Sequence, residues 1–225
     1  MNISVIIPVL NEACSIQSFL KDHQWMRQAG HEIIVVDGGS VDQTAELTKN
    51  LCDQLLYSKK GRALQMNSGA SAANGSALLF LHADTELPAN ADQLIIDALS
   101  NDKKAWGRFD VKLSGNSLWF RIIERMMNLR SRITGIATGD QAIFVRAETF
   151  SQLNGFENIP LMEDISLTKR LKKVSFPICL RSKVITSSRR WEDNGVWKTI
   201  FLMWKLRFAY YLGQDPNVLV RKYYR

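Results

Sequence analysis

The sequence has few cysteines and no long uncharged apolar segment. Its 225 residues include three cysteines, at Cys14, Cys52 and Cys179, and none of them has metal-site spacing. Scattered, odd-numbered cysteines are typical of a reducing compartment, so we expect a cytoplasmic protein. No run approaches the roughly 20 uncharged apolar residues of a membrane span. The chain enters an apolar strand at its N-terminus, and we expect no signal peptide.

The composition is that of a globular protein, with 46% hydrophobic and 23% charged residues. This length accommodates one α/β domain of ordinary size with a buried core. The net charge is +7, and residues 181–225 contain ten basic and three acidic residues, so this segment carries the whole excess. A basic C-terminal segment favours an anionic partner such as a diphosphate, an acidic acceptor or a lipid surface.

Apolar strand patterns alternate with helical patterns along the first part of the chain. The predicted strands are 2–9, 32–36, 55–58 and 78–81, followed by 106–113, 142–145 and 176–185. The predicted helices include 63–74, 118–133, 165–174 and 196–212. This alternation predicts an α/β fold with a mostly parallel, doubly wound sheet and helices on both faces.

Polar residues follow the strand at 78–81, where His82, Ala83 and Asp84 precede Pro88. Ligands of open α/β sheets bind outside the carboxyl ends of the strands. A carboxylate at this position suits Mg²⁺ or Mn²⁺, which usually share a carboxylate with substrate phosphates. Asp84 is therefore a candidate metal ligand. The alternative is that Asp84 caps a helix that begins near Pro88.

The loops after the other early strands also carry polar residues. Asn11 and Glu12 follow the first strand, where Asn11 is placed to cap the next helix, and Asp37 and Gly38 follow the second. Arg62 lies near the start of a helix rich in small residues, where the helix N-terminus favours phosphate.

Two further polar groups lie in the second half of the chain. Gly139, Asp140 and Gln141 precede a strand, and Glu163 and Asp164 stand at the predicted start of a helix. Paired acids at a helix start have an ordinary structural role as caps and as partners of the helix dipole. They are also the groups that take a proton from a hydroxyl.

Together these motifs resemble the family 2 glycosyltransferases, which have the GT-A fold. The resemblance covers nearly the whole chain, and among small members it is closest to the bacterial rSAM/selenodomain-associated transferase 2 group. It implies a GT-A domain over residues 1–190 with a basic, aromatic helical extension at 191–225. It also implies an inverting transfer of a sugar from a nucleotide diphosphate sugar, expected to be a UDP-sugar, to a hydroxyl of an unknown acceptor.

The resemblance implies a role for each motif. Asp164 is the general base, Glu163 orients the acceptor or the base, and Asp84 holds a divalent cation, Mn²⁺ or Mg²⁺, at the diphosphate. The residues expected around the nucleotide sugar are Pro8, Asn11, Glu12, Asp37, Gly38, Arg62, His82, Ala83 and Asp84. The residues expected on the acceptor side are Gly139, Asp140 and Gln141.

The sequence departs from the family pattern in two ways. His82 stands where an acidic residue usually precedes the metal ligand by two positions, and we expect it to bind ribose or phosphate, or to point into the structure. The histidine that some members use as a C-terminal metal ligand is absent, which favours weak metal dependence. Arg189 and Arg190 can brace the diphosphate instead, although they are equally consistent with a solvated surface.

Three other functions remain open at this point. A nucleotidyltransferase needs a glycine-rich or basic loop after the first strand, and the loop here is Leu10-Asn11-Glu12-Ala13. The charge allows a nucleic-acid-binding protein, but no recognised module is present and the strand-end carboxylates repel phosphates. A sugar-nucleotide-binding protein without transferase activity fits the same motifs.

The predicted helix at 196–212 is rich in aromatic residues and interrupted by cations. Such a helix is suited to an anionic membrane surface, and Arg221, Lys222 and Arg225 follow it. This predicts a peripheral contact with the inner face of the membrane. The alternatives are that the aromatic residues pack onto the domain, or that they form an oligomer contact.

Overall fold

The computed structural model describes residues 1–223. Its strands are β1 (Ile3–Val9), β2 (Glu32–Asp37), β3 (Gln54–Tyr57), β4 (Ala77–Phe80), β5 (Thr85–Glu86), β6 (Trp106–Leu113), β7 (Phe144–Arg146) and β8 (Ile178–Thr186). Its α-helices are α1 (Ile16–Asp22), α2 (Gln24–Gln28), α3 (Thr44–Thr48), α4 (Arg62–Ala72), α5 (Ala91–Leu99), α6 (Leu118–Thr134), α7 (Ala147–Gln152), α8 (Glu163–Val174), α9 (Arg189–Asn194), α10 (Val196–Tyr211) and α11 (Pro216–Tyr223). Gly139–Gln141 is a short 3-10 turn.

The strands form one sheet in the order β3-β2-β1-β4-β7-β6-β8-β5. The first four are parallel to one another, as the sequence predicts. Beyond β4 the sheet is mixed, because β7 runs antiparallel to both β4 and β6 while β6 and β8 are parallel. The α/β fold class is confirmed. Strands β6 and β8 run in the same direction as the first four strands, and only β7 and the short β5 run in the opposite direction.

Strand β1 is buried on both faces and is apolar except for Ser4, which is buried as well. Ile3, Val5 and Ile7 contribute to the core on one face, together with α1, α2 and α5. Ile6 contributes to the core on the other face, which includes residues of α4, α7 and α8. Helix α4 lies so close to β1 that a Cβ on Gly69 would be 2.5 Å from Ile6 Cγ2. Gly69 is therefore a packing residue, which lets α4 approach the sheet closely.

Two sequence-based expectations about local structure are wrong. Alternation in β6 predicts a half-buried strand, but Arg108 is fully buried and Asp110 nearly so. Their side chains bond to each other, and Arg132 of α6 donates to Asp110 Oδ2 at 2.6 Å. Helix α5 begins after Asn90, not beside Pro88, so Asp84 does not cap it.

The C-terminal helices pack onto two separate parts of the domain. Leu206 of α10 and Leu219 of α11 are buried against the residues around the start of α8. Trp191, Val196 and Ile200 pack against β6 and α6. The division at residue 190 stays a prediction, and Arg225 lies outside the described residues. Within residues 1–223, none of the helices combines the length and the apolarity needed to cross a membrane.

Candidate active site

The parallel strands β1, β2 and β4 end at the same edge of the sheet, and a cavity of about 520 Å³ lies there. We call it the strand-end cavity. Its walls come from the loops after β1 and β4, the start of α4, and one residue each from the loop before α8 and from α11. The lining residues are Pro8, Val9, Leu10, Glu12, Lys60, Gly61, Arg62, Gln65, His82, Ala83, Asp84, Pro160 and Val220.

Asp37 is the last residue of β2 and is only 1% exposed. Its Oδ1 accepts the N–H groups of Gly39 and Ser40 at 2.7 and 2.6 Å. Its Oδ2 is buried and has no hydrogen-bond partner within residues 1–223. A buried carboxylate oxygen without a donor is costly. Asp37 is paired with Val9 of the cavity wall and is not itself a lining residue, so its Oδ2 is a candidate contact for a ligand donor that reaches past that wall.

Asn11 joins the loop after β1 to the loop after β2. Its side-chain Oδ1 accepts the N–H of Val41, and its own N–H donates to Ser40 Oγ, both at 2.9 Å. Its φ of +55° lies in the left-handed region, which Asn tolerates better than most residues. The prediction that Asn11 caps α1 is wrong, because Ser15 is the residue directly before that helix. Asn11 holds the Asp37 loop in place and lies outside the cavity lining.

Gln65 of α4 is a site residue that the sequence analysis missed. It is 4% exposed, and its Nε2 donates to the carbonyl oxygens of Val9 and Val36, both at 2.8 Å. A Cβ on Gly38 would lie 3.0 Å from the Gln65 side chain, which explains the glycine after Asp37. An isolated glutamine in a helix of small residues carries no sequence signal for this role.

A second, smaller cavity of about 100 Å³ adjoins the first at Arg62 and His82. We call it the acidic cavity, because three carboxylates line it. It is lined by Arg62, His82, Thr138, Gly139, Asp140, Leu161, Met162, Glu163, Asp164, Ile165, Met203, Arg207 and Tyr223. The contributions of α10 and α11 were not predicted from the sequence.

Asp164 is tied to the turn that carries Gly139. The Gly139 N–H donates to Asp164 Oδ2 at 2.9 Å, and the Ile165 N–H donates to Oδ1 at 2.7 Å. A side chain at Gly139 would collide with the ring of His82, since its Cβ would lie 2.5 Å from His82 Nε2. The backbone of this turn therefore approaches His82 closely and fixes the orientation of the Asp164 carboxylate.

Glu163, the first residue of α8, is 4% exposed. Burial and the neighbouring charge of Asp164 raise its pKa, while Arg62 opposes that shift. Arg62 Nε lies 3.6 Å from Glu163 Oε1. Met162, directly before the helix, has a φ of +70°, a strained conformation of the kind that clusters at functional sites.

His82 and Asp140 face each other across the wall of the acidic cavity, with Nδ1 3.5 Å from Oδ1. Burial lowers the pKa of His82, but the hydrogen bond and charge of Asp140 outweigh it and the pKa is raised. Burial raises the pKa of Asp140, but His82 outweighs it and the pKa is lowered. Each partner thus favours the charged form of the other.

Gln141 lies beneath this wall. It is fully buried, and its Nε2 donates to Ser131 Oγ of α6 at 3.2 Å. Arg130 of α6 was not predicted as a site residue. Burial lowers its pKa, and the carboxylates of Asp164 and Asp140 oppose that shift, so its charge acts on the acidic cavity.

Arg189 and Arg190 begin α9 and line a third cavity of about 270 Å³, which also includes Asp84, Asp140 and Tyr223. The Arg190 guanidinium stacks 3.6 Å above the Tyr223 ring and donates to the Tyr223 carbonyl oxygen at 3.0 Å. Arg62, Arg189 and Arg190 share this cavity with Asp84, and guanidinium groups so placed can brace a diphosphate.

Asp84 is exposed and lines two cavities. One is the strand-end cavity, and the other is the cavity of Arg189 and Arg190, which we call the arginine-lined cavity. Its Oδ1 accepts the Thr85 hydroxyl at 3.3 Å. In the part of the chain that the structure describes, no three His, Cys, Asp or Glu side chains converge as a metal site. A single accessible carboxylate fits Mg²⁺ or Mn²⁺ if phosphates and water supply the other ligands.

Comparison with known proteins identifies the family. The model of the family "Glycosyl transferase family 2" matches residues 4–154. "Probable glycosyltransferase YdaM" of Bacillus subtilis is 27% identical over 241 residues, covering 96% of this chain and 56% of that protein. An undecaprenyl-phosphate 4-deoxy-4-formamido-L-arabinose transferase of Pseudomonas aeruginosa is 27% identical over 157 residues, covering 64% and 46%. The chain thus spans about half the length of these curated relatives.

Solved structures share the fold. The chain resembles S. aureus TarS 1–349 with a TM-score of 0.67 and 20% identity, covering 84% of this chain and 61% of the TarS 1–349 chain. It resembles the mannosyltransferase PcManGT of Pyrobaculum calidifontis with a TM-score of 0.66 and 20% identity, covering 95% and 62%. These likenesses confirm the predicted GT-A fold. With the family model matching well over half of the chain, this protein belongs to glycosyltransferase family 2.

Proposed function

We propose that this chain transfers a sugar from a nucleotide diphosphate sugar to an acceptor hydroxyl. The observation that carries the proposal is that two neighbouring cavities have two lining residues in common. Arg62 and His82 line both the strand-end cavity, which holds Asp84, and the acidic cavity, which holds Asp164 and Glu163. A donor diphosphate at Asp84 and an acceptor hydroxyl at Asp164 would therefore meet beside these two residues.

The nucleotide would lie along the loops after β1 and β2. The buried Oδ2 of Asp37 lacks a donor within the described residues, and an N–H of a base or a hydroxyl of ribose would supply one. TarS structures contain UDP or UDP-GlcNAc, and the PcManGT structure contains GDP-Man and Mn²⁺. We propose a UDP-sugar as the donor, since the resemblance of the motifs favours it.

A divalent cation would be held by Asp84 together with the donor phosphates. When bound, it would stabilise the negative charge that develops on the leaving diphosphate. Arg62 and Arg189 lie in cavities that contain Asp84, and their positive charges would assist the same departure. With two arginines so placed, we expect metal dependence to be incomplete.

Asp164 is the proposed general base. Its two oxygens accept backbone N–H groups, which aim the carboxylate into the acidic cavity, and each oxygen keeps a lone pair for an acceptor hydroxyl. The hydroxyl would attack the anomeric carbon from the face opposite the diphosphate, lose its proton to Asp164, and invert the configuration. Glu163 and Asp140 would position the acceptor.

The proposed location is cytoplasmic, with a peripheral membrane contact through the C-terminal helices.

Calorimetry with UDP, with and without Mn²⁺, tests the donor site, and product analysis with candidate UDP-sugars tests the transfer. We expect UDP to bind more tightly with Mn²⁺, and Asp37→Asn to weaken binding in both conditions. The matched control is Asp97→Asn, which removes one exposed carboxylate from α5. Wild-type affinity in Asp37→Asn would contradict the proposed nucleotide site.

The reaction products distinguish the proposed transfer from two of the alternative functions. A nucleotidyltransferase would consume a nucleoside triphosphate and release pyrophosphate, whereas the proposed transfer releases UDP. A sugar-nucleotide-binding protein would bind the donor and leave it intact under every acceptor condition.

A further inference from the structure

Helix α6 buries Phe120 and Ile123 against the domain, and it also presents a long apolar stripe to solvent. Its sheet-facing side carries Glu124 and Asn128, whose oxygens accept the N–H groups of Leu113 and Val111 at 2.7 and 2.9 Å. The opposite side exposes six large apolar residues: Leu118, Trp119, Ile122, Met126, Leu129 and Ile133. At 3.6 residues per turn they fall within about 100° of the helix circumference.

Helix α10 has the same arrangement. Thr199 and Leu206 are its buried residues. The outward side exposes Trp197, Phe201, Trp204, Phe208 and Tyr211, followed by Leu212 at its C-terminal end. These six residues also fall within about 100° of the circumference.

The two outward stripes form one surface, because the helices meet at Trp119 and Trp197. The centroids of these two indole rings are 4.7 Å apart. Beneath them Phe120 of α6 packs in the same cluster as Val196 and Ile200. Contiguous apolar surface of this extent is uncommon on a monomer and marks an interaction site.

The exposed charges of these two helices are all positive. Arg125 of α6 and Lys198 and Lys205 of α10 are exposed, whereas Glu124, the only acid in either helix, is 4% exposed and paired with Arg121. A second copy of this surface, docked by a two-fold axis, would bring cations against cations. An anionic bilayer complements both the cations and the apolar and aromatic residues.

We propose that the outward sides of α6 and α10 form a membrane-docking platform for an anionic bilayer surface. The prediction from the sequence involved the C-terminal helix alone. The structure adds α6, half of the apolar residues and the orientation of the surface relative to the active site.

The platform adjoins the acceptor side of the site. Met203 and Arg207, on a different side of α10 from the exposed stripe, line the acidic cavity, and Met127 of α6 lines the arginine-lined cavity with Met203. Docking would therefore hold both cavities at the headgroup level. If the proposed function is correct, on which this step rests, the acceptor is a membrane-borne amphiphile whose polar head reaches Asp164.

Co-sedimentation of the full chain with vesicles tests the platform. The vesicles are phosphatidylcholine alone and phosphatidylcholine mixed with phosphatidylglycerol, at low and moderate salt. The variants are Leu129→Glu on α6 and Phe201→Glu on α10, both exposed and so tolerated by the fold. The control is Val41→Glu, which places the same charge at an aliphatic residue that is 92% exposed in another part of the molecule.

We expect wild type and Val41→Glu to sediment with the anionic vesicles, less so as salt rises. Each platform variant should weaken the vesicle affinity about tenfold or more, because a buried Leu or Phe side chain is worth at least that factor. UDP binding should be unchanged in both variants, so a failure here is distinguishable from a failure of the proposed function.

Three results would overturn the proposal. The first is wild-type protein that stays in the supernatant with both vesicle types. The second is a platform variant that sediments like wild type, since both helices are required. The third is a lipid-free dimer, detected by light scattering, that the same substitutions dissociate, which would make this surface an interface between copies of the chain.

Discussion

Gln65 is the residue whose replacement tests the architecture of the nucleotide side most directly. Its amide nitrogen donates to the carbonyl oxygens of Val9 and Val36, the first at the end of β1 and the second just before Asp37. Those two bonds join α4 to both loops of the proposed nucleotide site. Gln65→Met keeps the volume and the helix propensity of the side chain while removing both donors.

The structure sets the size of the effect. Leaving a buried carbonyl oxygen without its donor costs about 1–3 kcal/mol. Both oxygens keep a backbone donor, since Val9 O accepts the N–H of Gly38 at 3.0 Å and Val36 O belongs to the β1–β2 ladder. Each loss is therefore partial, and we expect a total of about 2 kcal/mol. For a domain of this size that corresponds to a melting temperature lower by about 4–8 °C.

Thermal unfolding followed by circular dichroism measures this change, with Gln93→Met as the matched control. Gln93 is exposed on α5 and bonds only to Asp97, one turn away, within the described residues. Its replacement should cost about 0.2–0.5 kcal/mol. If Gln65→Met melts within about 2 °C of the control and binds UDP with wild-type affinity, the two bonds do not hold the loops.

Three further predictions concern the carboxylates. Asp84→Asn should fold normally but lose the increase in UDP affinity that Mn²⁺ provides, as calorimetry would show; an unchanged metal response would refute the assignment. Asp164→Asn should retain donor binding and lower turnover by about two to four orders of magnitude, and a variant with half the wild-type rate would move the base to Glu163 or Asp140. The raised pKa of Glu163 means that the folded state binds its proton more tightly, so wild-type stability falls as pH rises from the ordinary pKa of a glutamate through the raised one. Melting curves of Glu163→Gln against pH should lack that decline.

The parts of the site that adjoin strand ends could be predicted from the sequence. An unbroken apolar run such as Leu78–Leu81 fixes a buried strand, and the carboxyl ends of parallel strands must lie at one edge of the sheet. His82 and Asp84 therefore reach the cavity by local pattern alone. The Glu163–Asp164 pair follows the same logic at the start of a helix.

The residues that reach the site from distant elements could not be predicted in this way. Gln65 acts through carbonyl oxygens of two strands that are 29 and 56 residues away, and backbone acceptors leave no mark in a side-chain pattern. Tyr223 and Arg207 line the acidic cavity because α10 and α11 pack over the start of α8. That packing depends on long-range apolar contacts, which the sequence order does not encode.

The orientation of α6 could not be predicted from the sequence for a different reason. Its periodicity predicts an amphipathic helix, and the usual inference is that the apolar stripe faces the core. Here β6 presents backbone groups to the helix, and Glu124 and Asn128 satisfy them. Because the polar stripe is needed inside, the apolar stripe remains outside, and only the neighbouring strand reveals which way the helix is turned.

The surroundings of Glu163 and Asp164 distinguish these two adjacent acids, which the sequence pattern alone does not. Glu163 is buried at the start of α8, with Arg62 Nε 3.6 Å from its Oε1, and its raised pKa shows that Arg62 offsets its charge only in part. Asp164 is held by the N–H of Gly139, in the turn that also carries Asp140, and so faces the acceptor side. A base must touch the hydroxyl it deprotonates. The contact with the Gly139 turn therefore supports Asp164 as the proposed base, and it leaves Glu163, beside Arg62, with the proposed role of positioning the acceptor.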